Sequence, residues 1–357
     1  MKNNLDLWPE PIIRVQSLSE TRLSSIPDRY VRAPHERPSI NTTNNGVTIP
    51  VIDLAGLDGN DKKLAASIAE RIDVACRTWG FFQVVNHGVE PNLMNATRAS
   101  WRQFFHSPME VKQAYANSPR TYEGYGSRLG IKKDYVLDWS DYFFLHYLPP
   151  DLKDFNKWPT VSADFREIVD EYGEQVLGLG RRLMRVLSVN LGLEESALWS
   201  AFGGDDVGTC LRVNYYPKCP QPDLTFGLSP HSDPGGLTLL SPDDVVGLQV
   251  KKDGEWITVK PAAHSFIVNV GDQIQVLSNA IYKSVEHRVI VNSNIERLSL
   301  AFFLNPKSTV PISPVKDLLT PAKPALYKPM TFDYYRRCIR IRGPNGKSHV
   351  DSLQYNP

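Results

Sequence analysis

The fold of this chain is decided by TCLRVNYYP at residues 209–217, where the sequence begins a series of short segments. Polar and apolar side chains alternate through LRVNY, and RLSLAFFLNP at 297–306 ends the series. Between them, Asp253-Gly254 predicts a tight hairpin. Many short strands joined by turns are typical of a jelly roll. The other strands predicted in this region are GLTLL (236–240), GLQVKK (247–252), EWITVK (255–260), SFIVNV (265–270), QIQVLS (273–278) and SVEHRVIV (284–291).

The sequence before residue 205 differs, because its apolar residues recur mostly at helical spacing. Such stripes predict helices over 64–79, which Gly80 ends, and over 162–191, which Gly192 ends. The tetrapeptide SPME at 107–110 matches a capping box with proline in the first turn, and it predicts a further helix start. The remaining predicted elements are short strands at Ile49–Leu54 and FFQVVNHG (81–88) and a C-terminal helix over TFDYYRRCIR (331–340).

These patterns predict an α+β fold class, with a mainly helical N-terminal lobe, a double-sheet jelly-roll core and a C-terminal helix. The first residues are rich in Pro, Ser, Asn and Arg, which is typical of an extended arm lying over a body. The predicted divisions are the extended N-terminal arm (1–48), the helical lobe (49–204), the jelly-roll core (205–310) and a C-terminal helical segment (311–357).

The composition is that of an ordinary globular protein, with 357 residues of which 41% are hydrophobic and 22% charged. Its 40 basic and 39 acidic side chains give a net charge of +1, which argues against nucleic-acid and membrane-surface partners. No apolar run approaches the roughly 20 residues that span a bilayer, and the N-terminus lacks the apolar segment of a secretory signal. Four scattered cysteines indicate neither a disulfide framework nor a zinc cluster, so we expect a reducing, cytoplasmic location, with the nucleus also open.

His231-Ser232-Asp233 and the distant His287 form a candidate metal site. Residues two apart on a strand point to the same face, so His231 and Asp233 are predicted to project together. His287 shares its strand face with Val289, which directs it toward an apolar interior. Two imidazoles and one carboxylate are the donor set that holds non-haem Fe(II) and leaves positions open for substrates. Taken alone, this spacing also fits histidines that are hydrogen-bonded in the core.

A charged residue on an apolar strand supports the metal site. Arg297 is costly there unless an anion meets it, and its planar fork suits a carboxylate that Ser299 can also bind. The alternative is an edge-strand arginine paired with a surface glutamate. In the strand LRVNYYP, a shared face carries Arg212, Asn214 and Tyr216. This face either lines a wet pocket or forms the solvent side of the sheet.

Taken together, these motifs resemble the plant 2-oxoglutarate- and Fe(II)-dependent dioxygenases. The resemblance rests on NYYPKCPQP (214–222), HSDPGG (231–236) and HRVIVNSNIERLSLAFFLNP (287–306). WGFFQVVNHGV (79–89) is similar to the leading domain of the same family, so the likeness covers the chain from about residue 49. It implies a double-stranded β-helix core, which agrees with the predicted jelly roll.

The resemblance also implies a chemistry and a role for each site residue. Family members couple the oxidative decarboxylation of 2-oxoglutarate, to succinate and CO2, with hydroxylation of a substrate C–H bond by O2. Ascorbate is the implied reductant, and we expect a monomer. The residues implied to ligate Fe(II) are His231, Asp233 and His287. Those implied to bind 2-oxoglutarate are Arg297, Ser299 and Tyr216, at its distal carboxylate, and Asn214, near its other end.

Three further arginines are not needed for 2-oxoglutarate and suggest an acidic substrate. Arg336 and Arg340 share one stripe of the predicted C-terminal helix, and Arg212 lies on the polar strand face. Aromatic residues are available as apolar walls, so an elongated acid with a hydrocarbon tail would fit. The alternative for the two helical arginines is surface ion pairing. The residues predicted to contact substrate are Arg212, Arg336, Arg340, Phe144 and Phe303.

Longer stretches are similar to the jasmonate-induced oxygenase (jasmonic acid oxidase) subgroup of that family. This subgroup hydroxylates jasmonic acid to 12-hydroxyjasmonic acid, which lowers the pool available for the bioactive amino-acid conjugate and so down-regulates jasmonate signalling and defence. Jasmonic acid is a small acid with an apolar tail, which agrees with the arginines and aromatic residues above. The stretches are WPEPIIRVQSLSE (8–20), NSPRTYEGYGSRLG (117–130), LDWSDYFFLHYLPPDLKDFNKWP (137–159), CLRVNYYPKCPQP (210–222) and GLSPHSDPGG (227–236).

Three alternatives remain open at the level of the sequence. A flavonoid-oxidising dioxygenase, similar to anthocyanidin synthase or flavonol synthase, would share the motifs, but neutral polyphenols leave the spare arginines without a partner. A non-catalytic small-acid-binding protein on the same scaffold would be expected to have lost a metal ligand. A zinc hydrolase would have no use for a dicarboxylate anchor at Arg297 and Ser299.

Overall fold

The computed structural model describes residues 8, 10–21, 23–38, 47–128, 130, 133, 135–343 and 346–355. Its α-helices are α1 (Val15–Glu20), α2 (Lys62–Thr78), α3 (Pro91–His106), α4 (Met109–Gln113), α5 (Phe165–Asn190), α6 (Ala197–Ala201), α7 (Asp272–Leu277), α8 (Phe332–Arg342) and α9 (Ser348–Asp351). Its strands are β1 (Val51–Asp53), β2 (Phe81–Val85), β3 (Gly124–Gly126), β4 (Asp141–Leu148), β5 (Gly208–Tyr216), β6 (Leu228–His231), β7 (Leu237–Pro242), β8 (Leu248–Lys252), β9 (Glu255–Thr258), β10 (Phe266–Val270), β11 (His287–Val289), β12 (Arg297–Asn305), β13 (Pro311–Ile312) and β14 (Met330–Thr331).

Two β-sheets form the core, which confirms the predicted fold class. The large sheet has the strand order β1-β2-β10-β7-β12-β5-β4-β3, and the small sheet has the order β6-β11-β8-β9. Neighbouring strands run antiparallel, apart from the parallel pair β1 and β2. Strands that precede residue 205 form both ends of the large sheet, so the lobe and the core share one sheet. The division between 204 and 205 remains a prediction.

Side chains alternate across β12, the strand that lies inside the large sheet between β7 and β5. Leu298, Leu300 and Phe302 belong to the main hydrophobic core, which also contains the buried face of α5. Ala301 and Phe303 lie on the opposite face, toward a cavity. One face of the large sheet is therefore covered by helices, and the other face is available for binding.

The hairpin predicted at Asp253-Gly254 is confirmed. It joins β8 to β9, and Lys252 pairs directly with Glu255 across it. Both turn residues adopt the left-handed conformation, with φ of 51° at Asp253 and 89° at Gly254. This is the backbone that a two-residue hairpin loop requires.

One predicted strand and one predicted cap are wrong, whereas the helix predicted to start near SPME is present as α4. The segment QIQVLS belongs to α7 and its C-terminal cap instead of a strand, and all six residues of this helix are buried. Hydrophobic periodicity cannot separate a short, fully buried helix from a strand, because neither has a solvent-exposed face that would show in the sequence. The capping box is also absent: α4 begins after Pro108 without a side-chain cap, and the Ser107 hydroxyl donates to the Gln103 carbonyl of the preceding helix.

The described part of the N-terminal arm contains α1 and lies against the sheet. The backbone N–H groups of Val15 and Gln16 donate to the two carboxylate oxygens of Asp141, at 2.9 and 3.0 Å. The positions 1–7, 9, 22 and 39–46 of the predicted arm fall outside the described residues. Of the helices in the described part of the chain, none is both long and apolar enough to cross a membrane.

A pair of glycines in α5 tests how closely this helix packs on the sheet. A Cβ atom at Gly173 would lie 2.4 Å from the ring of Tyr147 in β4, whereas a Cβ at the exposed Gly178 would meet nothing within 4 Å. We expect Gly173→Ala to lower the free energy of unfolding by about 1–2 kcal/mol, because overpacking outweighs the gain in helix propensity. Gly178→Ala should raise it by roughly 0.5–1 kcal/mol. Urea unfolding followed by circular dichroism measures both, and equal shifts would contradict the close contact.

Candidate active site

A cavity of about 250 Å³ lies between the two sheets and under α8. Every residue that the sequence predicts for the site lines this cavity, so the structure brings together positions that are far apart in the chain. The charged and polar members are Arg212, Asn214, Tyr216, His231, Asp233, His287, Arg297, Ser299, Arg336 and Arg340, and the predicted apolar members are Phe144 and Phe303.

The three predicted metal ligands form one cluster. His231 in β6 pairs directly with His287 in β11, which sets their ring centroids 4.2 Å apart. The Nε2 atoms of the two rings lie 3.6 and 3.7 Å from Oδ1 of Asp233. One ligand atom from each residue falls within 4.8 Å of the others. Two imidazole nitrogens and one carboxylate oxygen at this separation fit an Fe(II) ion.

Hydrogen bonds aim these donor atoms at one point. Nδ1 of His231 lies 2.8 Å from the Ser229 carbonyl, and Nδ1 of His287 lies 3.2 Å from the Val285 carbonyl. A carbonyl oxygen only accepts, so each Nδ1 carries the proton and each Nε2 offers its lone pair to the cavity.

Two hydrogen bonds fix the orientation of the Asp233 carboxylate. Its Oδ2 accepts hydrogen bonds from the Thr238 hydroxyl at 2.5 Å and the Asn269 amide at 2.8 Å, which leaves Oδ1 facing the histidines. Thr238 and Asn269 were not among the residues predicted for the site from the sequence. The signal available for both was a polar residue at a cavity-facing position of an otherwise apolar strand.

Burial and neighbouring charges shift the pKa values of Asp233 and His287 in this cluster. Burial alone would raise the pKa of Asp233, but the neighbouring imidazoles and the Thr238 hydrogen bond hold it well below its usual range. Burial, together with the adjacent His231, lowers the pKa of His287 to about 4. Near neutral pH the carboxylate is therefore ionised and His287 is neutral, which are the states that bind a metal.

One detail of the predicted metal motif is wrong. β6 ends at His231, so Asp233 lies beyond the strand and does not reach the site through strand alternation. Its position depends on the hydrogen bonds to Thr238 and Asn269 and on the turn that follows. The convergence of the side chains was predicted correctly, but for a different geometric reason.

Arg297 is buried inside the large sheet, which excludes the edge-strand alternative. Its side chain is enclosed, with the residue only 4% exposed, and its Nε donates to the Val245 carbonyl at 3.1 Å. Among the described residues it forms no ion pair within 4 Å, and the nearby Asp243 pairs with Arg102 at 3.1 Å. A buried guanidinium in this state is suited to bind an anion from the cavity.

The strand register surrounds Arg297 with the other predicted anion-binding residues. Arg297 lies opposite Tyr216, and its guanidinium carbon is 5.2 Å from the centre of that ring. Ser299 lies opposite Asn214, and its hydroxyl accepts from Arg297 Nη1 at 3.4 Å. Together these side chains form a polar corner at one end of the cavity.

A second group of cations lies further along the same cavity. Arg212 is half-buried, donates to the Asn214 side chain at 2.7 Å, and stacks over the Tyr142 ring at 4.0 Å. Arg340 lies 4.7 Å from the centre of the Tyr122 ring. Neither arginine forms an ion pair within the described parts of the chain. Burial, with the adjacent Arg336, lowers the pKa of Arg340 from its ordinary value.

Arg336 both lines the cavity and forms an ion pair at the surface. It lines the cavity, and its Nη2 also lies 3.3 Å from Oδ1 of Asp333, three residues earlier in α8. Asp333 is largely exposed, so this ion pair is weak and leaves part of the guanidinium available.

Two protein-family models match this chain. Residues 207–306 match the model described as the 2OG-Fe(II) oxygenase superfamily, and residues 49–161 match the model of the non-haem dioxygenase in morphine synthesis N-terminal region. The chain belongs to the 2OG-Fe(II) oxygenase superfamily. It is an Fe(II)- and 2-oxoglutarate-dependent dioxygenase, as the sequence motifs imply.

Individual relatives of this dioxygenase extend over nearly its full length. Jasmonate-induced oxygenase 2 of Arabidopsis thaliana is 62% identical over 355 residues, covering 98% of this chain and 95% of that protein. Flavanone 3-dioxygenase 2 of Oryza sativa subsp. japonica is 40% identical over 330 residues, covering 90% of this chain and 92% of that protein.

Solved structures agree with the fold described above. A crystal structure of JOX2 in complex with 2OG, Fe and JA is 62% identical, with a TM-score of 0.92 over 98% of this chain and 100% of that chain. A rice dioxygenase for auxin oxidation is 28% identical, with a TM-score of 0.72 over 86% of this chain and 100% of that chain.

Arg297 and Arg288 provide a matched test of the anion corner. Both are buried arginines, but Arg288 donates to Gln249 and stacks on Trp256, outside the cavity lining. We expect Arg297→Lys to raise the KM for 2-oxoglutarate about tenfold or more, because a lysine keeps the charge but loses the planar fork. Arg288→Lys should leave that KM unchanged. Initial rates of succinate formation measure both, and equal changes would contradict the assignment.

Proposed function

We propose that this enzyme hydroxylates jasmonic acid to 12-hydroxyjasmonic acid. One atom of O2 is inserted into the substrate C–H bond, and the other enters succinate. Succinate and CO2 are formed from 2-oxoglutarate. The observation that carries the proposal is the second group of cavity cations, in which Arg212 and Arg340 have no ion-pair partner among the described residues. The names of the jasmonate-induced oxygenases and the JA-bound JOX2 structure support it.

We assign Fe(II) to His231, Asp233 and His287, and the distal carboxylate of 2-oxoglutarate to the polar corner. Bound iron and 2-oxoglutarate supply the oxidising power. The protein holds the three donor atoms in one orientation, through the carbonyl groups behind the imidazoles and the two donors behind the carboxylate. Arg297 and Ser299 bind the carboxylate of the co-substrate, with Tyr216 beside them and Asn214 toward its other end.

The register of the sheet separates the co-substrate from the substrate. Ser299 and Asn214 form one row across the cavity face, and Ala301, Arg212 and Phe144 form the next row. Rows on one face are two residues apart, which is about 7 Å along a strand. A substrate carboxylate held by Arg212, Arg336 and Arg340 would therefore bind beside the co-substrate. Its hydrocarbon tail would lie against Phe144 and Phe303.

The wider setting of the reaction belongs to the same proposal. Removal of jasmonic acid would lower the supply for its bioactive amino-acid conjugate, and so would restrain jasmonate signalling and defence. We expect ascorbate to maintain the iron as Fe(II), and we expect a monomer. A cytoplasmic location agrees with the four free cysteines, three of which are buried.

A direct assay tests the substrate. The purified enzyme is incubated in air with Fe(II), ascorbate, 2-oxoglutarate and jasmonic acid, and products are followed by mass spectrometry. We expect a product one oxygen atom heavier than jasmonic acid, formed in equal amount with succinate. His231→Ala serves as the control, because loss of a metal ligand should abolish both products.

Other outcomes of this assay identify the alternatives. Succinate without hydroxylated jasmonic acid would contradict the substrate, and flavanones would be tried next. Absence of both products would favour a non-catalytic acid-binding protein. Jasmonic acid that protects the chain against thermal unfolding without turnover would support that last alternative.

Arg340 and Arg337 test how the substrate carboxylate is recognised. Both lie on α8, but Arg340 lines the cavity and Arg337 is exposed. We expect Arg340→Ala to raise the KM for jasmonic acid about tenfold, which is the loss of one charge-assisted contact, and to leave turnover of the methyl ester unchanged. Arg337→Ala should alter neither. Equal losses for acid and ester in Arg340→Ala would exclude a carboxylate contact.

A further inference from the structure

A buried carboxylate joins α8 to the metal loop, which we define as residues 231–233. Asp272, the first residue of α7, is 0% exposed. Its Oδ2 accepts one hydrogen bond from the Tyr335 hydroxyl in α8, at 2.7 Å, and another from the Ser232 hydroxyl, at 3.2 Å. Ser232 stands between the metal ligands His231 and Asp233.

We propose that Tyr335 and Asp272 are positioning residues that fix the substrate-binding arginines relative to the iron. In this view the Tyr335–Asp272–Ser232 bridge sets the height and rotation of α8 over the cavity. An acid held by Arg336 and Arg340 then presents one C–H bond at a defined distance from the metal. This inference rests on the proposed function and adds to it the part that links substrate binding to the metal.

The metal loop is held on its backbone as well as through Ser232. The N–H of Asp272 donates to the Asp233 carbonyl at 2.8 Å, so the start of α7 and the metal loop move together. The Ser232 N–H donates to the Gly346 carbonyl at 3.2 Å, and the Gly346 N–H donates to Pro230, also at 3.2 Å. The chain that follows α8 is therefore paired with the metal loop.

The buried carboxylate makes the bridge costly to break. A buried carboxylate needs its hydrogen bonds, since water cannot replace them. Without the Tyr335 hydroxyl, Oδ2 of Asp272 would keep only its hydrogen bond from the Ser232 hydroxyl. The hydrogen bond that holds the middle of α8 against α7 would also be lost. Tyr335 directly precedes Arg336, so a small movement there displaces the guanidinium groups. Displacement of a reacting group by about 1 Å can reduce productive alignment a hundredfold.

Tyr327 supplies a matched control. Its side chain is as buried as that of Tyr335, with both residues 2% exposed. The Tyr327 hydroxyl also bonds to α7, where it accepts from the Gln275 amide at 2.8 Å, but Gln275 does not contact the metal loop through a hydrogen bond. Tyr327→Phe and Tyr335→Phe therefore remove the same atom, the hydroxyl oxygen, from two equally buried side chains whose hydroxyls both bond to α7.

The first measurement is independent of substrate and of metal. Hydrogen exchange of the metal-free full chain is followed by mass spectrometry in peptides that cover residues 228–236. We expect Tyr335→Phe to increase exchange in this region and Tyr327→Phe to leave it as in the unsubstituted protein. Equal exchange in the two variants would overturn the proposed bridge. If Tyr335→Phe does not fold, Ser232→Ala removes the other donor, and the same comparison applies.

The second measurement separates positioning from a general structural role. With jasmonic acid, we expect Tyr335→Phe to raise the ratio of succinate to hydroxylated product and to raise the KM for jasmonic acid about tenfold, with the KM for 2-oxoglutarate unchanged. Tyr327→Phe should preserve the ratio. A ratio that stays at one in Tyr335→Phe would overturn the proposal. An unsubstituted enzyme that does not oxidise jasmonic acid would instead overturn the proposed function, while the exchange measurement still decides on the bridge.

Discussion

The antiparallel pairing of β5 with β12 is the constraint on which the rest of the site depends. It runs over nine residues on each strand, in the interior of the large sheet. A shift of one residue would turn every side chain of one strand to the opposite face. A shift of β12 would bring Arg297 into the hydrophobic core and its leucines into the cavity, and a shift of β5 would bring Arg212 into the core. The apolar core on one face thus fixes the polar corner on the other.

Charge is distributed unevenly in this arrangement. The chain as a whole is almost neutral, with a net charge of +1, but four arginines face one enclosed space. The Asp233 carboxylate is an anion in that space, and two imidazoles and two hydrogen-bond donors surround it. Arg336 pairs with the exposed Asp333, whereas Arg212, Arg297 and Arg340 have no ion-pair partner among the described residues. A site of this kind is suited to two acids at once, and neutral molecules would leave part of it unpaired.

The sequence predicted the site better than it predicted some of the elements around it. Alternation placed Arg212 and Arg297 on cavity-facing positions correctly, because a two-residue period is a strong signal in a strand with one apolar face. The same signal misassigned α7, because Gln and apolar residues alternate in QIQV as they would in a strand, although the segment is a fully buried helix. It also could not reveal the contact of Asp272 with Tyr335, since that contact joins residues 63 positions apart through a side-chain hydrogen bond. Contacts of this kind depend on tertiary packing, and local patterns do not record them.

The cationic cavity has a consequence for the stability of the enzyme in the cell. Partly buried guanidinium groups without an anion are unfavourable in the folded chain, and burial with the adjacent Arg336 lowers the pKa of Arg340 from its ordinary value. Ligands that bind only the folded state stabilise it in proportion to their concentration. Acids bound at Arg297 and at Arg340 would therefore stabilise the folded chain as well as take part in the reaction.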